Sequence, residues 1–207
     1  MLTLSTIKAA IDGADIAGDH GDHTIGRGGY PVDARTAPVN AAVLIPIVDR
    51  GNSLSVILTK RSQALRKHAG QVAFPGGRED LTDLSSTATA LREAEEEIGL
   101  PRQDVDILGT LKRYRTGTGF AITPIVGVVP QHFSPVPEPG EVEEVFEARL
   151  DILLDPANHK IESAVWQGKK RDYYVLPHER HLIWGATAGI LVGLSQLIWN
   201  GLERTSA

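Results

Sequence analysis

Phe74-Pro75-Gly76-Gly77, followed at short range by Arg92-Glu93-Ala94-Glu95-Glu96-Glu97-Ile98-Gly99-Leu100, joins a glycine turn to a segment crowded with acid. At 100° per residue, Glu93, Glu96 and Glu97 fall within an arc of about 100°, while Leu91, Ala94 and Ile98 share another face. Like charges three or four apart cost a helix roughly 0.2–0.5 kcal/mol per pair, so the cluster needs a cation or open solvent. Hard oxygen donors on one rigid face suit Mg²⁺ or Mn²⁺, and neither His nor Cys is interleaved to suggest zinc. For an isolated Glu-rich helix a solvated acidic face is the plainer account. The Gly-Gly turn shifts the balance, because such a turn lets backbone approach a ligand closely, and Asp80 and Asp83 follow it before the helix begins. Glu95 points away from the other three and reads as solvated.

Around the turn, Lys60, Arg61, Arg66, Lys67 and Arg78 occur with no acid among them from 60 to 78. Guanidinium forks match phosphate oxygens bidentately, so a basic lobe beside an acidic helix points to a phosphorylated ligand. An exposed strand end and loop also carry such residues; the attached Gly76-Gly77 turn favours phosphate binding. His68 reads as a satisfied loop histidine rather than a substrate contact.

Together these segments resemble the box of the Nudix hydrolases, which runs Gly, five residues, Glu, seven residues, then Arg-Glu-hydrophobic-x-Glu-Glu-x-Gly-hydrophobic. The second half matches from Arg92 to Leu100. The first half departs: five residues after Gly77 stands Asp83 rather than Glu, and eight residues rather than seven separate it from Arg92. A loop absorbs one extra residue cheaply. Leu58-Thr59-Lys60-Arg61-Ser62, Arg66, Gly70 and Phe74-Pro75-Gly76-Gly77 are spaced as in one branch of that family, the coenzyme A pyrophosphatases. Trp184-Gly185-Ala186-Thr187-Ala188-Gly189 is similar to its closing segment, so the resemblance covers about residues 39–200.

The resemblance implies an α/β fold, a Nudix-type α/β/α sandwich with a mixed β-sheet. It implies Glu93, Glu96 and Glu97 as metal ligands for Mg²⁺ or Mn²⁺, Arg92 as the residue that orients them, and Asp83 as a structural acid. Catalytic candidates are Glu96, Glu97, Arg92 and, for the general base, Glu144 from the late acidic stretch Glu141 to Glu147. Strand alternation does not select one acid of that stretch cleanly. Lys60, Arg61, Arg66, Gly76 and Gly77 are the substrate-binding candidates. The implied reaction is metal-assisted hydrolysis of the pyrophosphate in coenzyme A or acyl-coenzyme A, giving 3′,5′-ADP and 4′-phosphopantetheine or its acyl form. Another Nudix pyrophosphatase, acting on ADP-ribose, NADH or a nucleotide sugar, shares the same box. A nucleotide-sensing Nudix module without catalysis is a further alternative, although it is expected to lack box carboxylates that are present here.

Composition sets the outer bounds. A chain of 207 residues with 42% hydrophobic and 23% charged side chains suits one folded domain with a sizeable core. The absence of cysteine excludes disulfides, zinc ribbons and thiol nucleophiles, and fits a reducing, cytoplasmic setting. A net charge of −5 disfavours extended nucleic acid as a partner and leaves a small nucleotide substrate, coenzyme A-like, gathered by the local basic segment. No secretory signal is evident at the N-terminus.

Residues 1–37 read as an N-terminal helix, with Ser5 as cap and Leu4, Ile7 and Ile11 on one side, followed by a Gly-, Asp- and His-rich flexible arm that resembles a lid. His20 and His23 in that arm read as solvated rather than metal-bound. The hydrolase domain then spans 38–202. Strands are expected at 41–48, 54–59, 72–74, 105–111, 121–129, 142–150 and 173–176, with a helix from Ser86 to Ile98. Asp151 is expected to cap a helical turn ended by Pro156. The apolar stretch from Leu182 to Trp199 approaches membrane length, but Gly185, Thr187, Gly189, Gly193, Ser195 and Gln196 favour a helix packed across the sheet and no membrane partner. Its glycine-spaced surface is also a candidate face for a homodimer.

Overall fold

The computed structural model describes residues 2–26, 37–166 and 168–205. Helix α1 (Leu4–Asp12) buries Ile7 and Ile11, and its cap is Thr3 rather than Ser5: the Thr3 hydroxyl accepts the Thr6 backbone N–H at 3.1 Å. Ser5 lies inside the helix, where a capping geometry is closed to it. Strand β1 (Asp19–Gly21) then pairs in parallel with a strand far along the chain, so residues 19–21 belong to the sheet rather than to a free arm. Residues 27–36 of the expected arm, and any lid they form, lie outside the described residues.

β2 (Val39–Asp49), β3 (Leu54–Arg61), β4 (Val72–Ala73) and β5 (Gly76–Arg78) precede helix α2 (Ser86–Ile98). After it come β6 (Asp106–Thr110), β7 (Arg113–Arg115), β8 (Phe120–Val129) and β9 (Val142–Arg149). These nine strands form one mixed sheet, ordered β1-β7-β8-β2-β3-β4, with β5 on β2, β6 on β8 and β9 on β3. The parallel β2–β8 pair runs from Val39 opposite Phe120 to Val48 opposite Val129. Both strands read as near-continuous apolar runs because they are covered on both faces. On one face Ala42, Leu44, Ile57 and Ile125 pack against Ala90, Ala94 and Ile98 of α2. On the other, Ile45, Ile47, Val56 and Leu58 meet α1 and the last helix. This is the expected α/β/α sandwich.

Helix α3 (Leu150–Leu153) starts without a side-chain cap. Asp151, expected to supply one, is held instead by Arg149, whose Nε donates to it at 3.0 Å. β10 (Lys160–Trp166), β11 (Lys169–Leu176) and β12 (Ile183–Trp184) make a second, three-stranded sheet. Helix α4 (Gly185–Thr205) lies across the main sheet as its glycines require: a Cβ at Gly189 would sit 2.3 Å from Tyr114 Oη, and one at Gly193 would sit 2.8 Å from His20 Nε2. At Gly189 and Gly193 that glycine-spaced surface is covered by the chain itself. His20, far from being a solvated arm residue, packs edge-on against Tyr114 at 5.1 Å and bonds the Arg113 carbonyl through Nδ1 at 3.1 Å. Tyr114 in turn donates to Asp22 at 2.6 Å. Among the described residues no helix is long and apolar enough to cross a membrane.

Candidate active site

Helix α2 has clear ends. The Ser85 hydroxyl accepts the Ala88 N–H at 3.1 Å, and Gly99, at φ 68, turns the chain left-handed so that its N–H closes on the last carbonyls. With Ala90, Ala94 and Ile98 fully buried, the helix's rotation is fixed and Glu93, Glu96 and Glu97 are carried toward the β5 turn. Gly76 and Gly77 meet them there. The Gly76 N–H donates to Glu97 Oε2 at 3.2 Å, and a Cβ at Gly77 would lie 2.4 Å from the Glu93 carboxylate. Gly76 itself has φ 156 and passes so close to β2 that a Cβ would fall 2.4 Å from the Ala42 carbonyl. The close backbone approach read from the sequence is thus, first of all, an approach to the protein's own carboxylates.

Arg92 is the hub of the cluster. Its Nε and Nη2 grip Asp83 at 3.0 and 2.9 Å, Nη1 donates to Glu93 at 2.9 Å and to Glu96 at 3.0 Å, and Nη2 also reaches the Arg78 carbonyl at 3.1 Å. Asp83 further accepts from Thr89 Oγ1 and from the Asp80 N–H, each at 2.9 Å. The guanidinium beside it holds the Asp83 carboxyl well below the usual carboxylate range, and Asp83 raises Arg92 in return. Asp83 sits where a structural acid is expected and Arg92 where it can orient two glutamates.

Glu97 is 3% exposed, and burial pushes its carboxyl up to about 8 against the opposing pull of the Gly76 N–H and Arg61. Arg61 Nη1 stands 3.7 Å away. Glu93 is likewise raised by burial, which outweighs its bond to Arg92. The negative charges of Glu96 and Glu141 raise Glu93 further, and Glu93 and Glu141 do the same to Glu97. Clustered, partly desolvated carboxylates with too little positive charge nearby are a donor set suited to a hard divalent cation. As the side chains stand, no three such groups among the described residues converge into a metal cage. Arg92 occupies Glu93 and Glu96, and Glu97 is turned to Gly76.

The remaining candidates are dispersed. Lys60 Nζ pairs with Glu143 at 2.6 Å, while Arg66 is exposed on the loop between β3 and β4. His68 bonds Gln71 at 2.8 Å, a satisfied loop histidine. Glu144 is not brought to α2: its carboxylate receives Arg180 Nη2 at 3.1 Å and lies 3.4 Å from His181 Nε2. Its neighbour Val145 packs on the α2 side while Phe146 belongs to the α1/α4 core, so alternation turns Glu144 away from the box helix. The acid of that stretch whose charge reaches Glu93 and Glu97 is Glu141, in the turn before β9. No period of the sequence marks it.

A NUDIX domain model matches residues 38–168. The chain belongs to the Nudix family. The Nudix hydrolase NudL of Photorhabdus laumondii is 43% identical over 159 residues, which are 77% of this chain and 84% of the relative. NudL of Escherichia coli K12 is 43% identical over 151 residues, 73% of this chain and 78% of that protein. A solved Nudix hydrolase, RenU of M. smegmatis, overlays with a TM-score of 0.47 at 24% identity, over 55% of this chain and 72% of its own. The protein is therefore a Nudix pyrophosphohydrolase, an enzyme for a pyrophosphate-containing nucleotide derivative, and Nudix enzymes generally use divalent metal ions.

Proposed function

We propose that this Nudix hydrolase cleaves the pyrophosphate of coenzyme A or acyl-coenzyme A, releasing 3′,5′-ADP and 4′-phosphopantetheine or its acyl form. The observation that carries this reading is the end of β3. Arg61 extends to Glu97 and keeps a buried Nε that makes no hydrogen bond among the described residues, while adjacent Lys60 turns to a cavity of about 450 Å³. Two cations of one strand thus serve separate places, which suits a ligand bearing a pyrophosphate and a further phosphate.

Glu93, Glu96 and Glu97 are the residues that would hold Mg²⁺ or Mn²⁺. Such an ion, when bound, neutralises phosphate oxygens and makes water more acidic. Around it Arg92 holds two of the carboxylates in place through its anchor on Asp83. Arg61 and Arg66 bind phosphate oxygens, and Gly76 and Gly77 let the β5 turn lie directly against Glu97 and Glu93. Glu141, whose backbone carbonyl accepts the N–H of Ser62 at 2.8 Å next to Arg61, takes the role of general base that the sequence offered to Glu144.

The test is incubation of the purified protein with coenzyme A and Mg²⁺, followed by nucleotide chromatography. Formation of 3′,5′-ADP is expected. Consumption of ADP-ribose or NADH without 3′,5′-ADP from coenzyme A would move the enzyme to another Nudix branch, and no turnover of any of them would favour a sensing module.

A further inference from the structure

We infer that the cavity beside Lys60 is a second anion subsite, one that takes a phosphomonoester carried by the substrate apart from its pyrophosphate; only the naming of that substrate rests on the coenzyme A reading. Lys60, Gly70, Val72, Arg180, His181 and Trp184 are among the residues that line it, so the loop before β4 forms one wall and the segment before α4 the other. Its volume of about 450 Å³ is that of a small-ligand site.

His181 shows that the wall is built. Its side chain is only 8% exposed, stacked 4.2 Å from Phe146 and 5.2 Å from His178, so the ring cannot swing. Its Nε2 is nonetheless without a hydrogen bond among the described residues. The Glu144 carboxylate stands 3.4 Å away without bonding it, so this buried atom still lacks a satisfied partner. The cations on either side are held lightly: Lys60 leans on Glu143 and Arg180 on Glu144, and these carboxylates are 38% and 33% exposed. Ion pairs this open are weak, whereas a phosphate dianion offers several charge-assisted acceptors, so exchange of carboxylate for phosphate costs little. Trp184 gives the mouth an aromatic side beside the charges.

Geometry ties the cavity to the hydrolytic centre. Lys60 and Arg61 are consecutive in β3, with a register shift between them where β9 pairs, and they leave the strand in opposite directions. A molecule engaging both must wrap the end of β3, its scissile group near Arg61 and a separate phosphate near Lys60 and Arg180.

Calorimetry with 3′,5′-ADP and AMP as probes tests this on the whole chain. The wild type is expected to bind 3′,5′-ADP about tenfold more tightly than AMP. In Arg180→Ala and in Lys60→Ala that ratio is expected to fall to about one. Arg180 is 66% exposed, so its truncation leaves the core untouched. Equal affinities in the wild type, or a ratio that survives both substitutions, would overturn the subsite. Discrimination without any hydrolysis of coenzyme A would keep the subsite and retire the proposed reaction.

Discussion

Glu97 faces two opposed requirements. It is buried under the β5 turn, which favours the neutral acid, yet a metal ligand must be ionised. In the metal-free protein its folded pKa of about 8 lies above the ordinary 4.5. The stability this gives is full below 4.5 and is lost as pH rises through 8, at about 1.4 kcal/mol per pH unit between the two. Glu97→Gln is therefore expected to abolish Mg²⁺-dependent turnover while the metal-free variant melts above the wild type at pH 8 and not at pH 4. Thermal melts at the two pH values check this, and a variant that keeps wild-type activity would remove Glu97 from the site. Arg92 is the complementary case, since its N–H groups are shared among Asp83, Glu93, Glu96 and the Arg78 carbonyl. Lysine offers no planar fork, so Arg92→Lys is expected to lower kcat at least about tenfold with a smaller effect on KM, as steady-state kinetics would show.

Among the elements, α4 is fixed by what it lacks. Gly189 lets the helix rest on the Tyr114 ring, whose hydroxyl is committed to Asp22, so neither partner can retreat. Gly189→Ala is expected to cost about 1–3 kcal/mol in urea denaturation, overpacking outweighing the gain in helix propensity. An unchanged midpoint would contradict the close packing. Helix α2 was legible from Ser86 to the Gly99 stop, because its stop signal and apolar stripe are local. β10 was not: its side chains from Lys160 to Val165 are exposed, so no buried face left an alternation to detect. The place of Glu144 escaped for another reason, since a run of acids reveals that one face is polar but not which face meets the box helix. Only the partners of Val145 and Phe146 settle that orientation.

For the molecule as a whole, the sheet separates two charged regions at the end of β3: the carboxylates of α2 on one side, Lys60, Arg180 and His181 on the other. The N-terminal segment, read as a helix followed by a flexible arm, supplies that helix as α1 on the α4 face, but residues 19–21 of the arm add β1 to the sheet. Its contact with β7 joins residues more than ninety positions apart, and nothing local in sequence announces it. A consequence at this scale is a pH-dependent response to metal. Added Mg²⁺ is expected to raise the melting temperature more at pH 8 than at pH 5.5, because the carboxylates it meets must be ionised. Equal shifts at both values would argue against Glu93 and Glu97 as ligands.

The anchor between Asp83 and Arg92 also accounts for how the chain tolerates its departure from the family spacing. Relative to the Nudix box, the connection to Arg92 is one residue longer and the acid one methylene shorter. Despite both changes, Asp83 meets the guanidinium with both carboxylate oxygens, at 3.0 and 2.9 Å. In this chain the position serves a contact between a carboxylate and a guanidinium fork, and a pattern counted in residues misses a chain that makes the contact with one residue more.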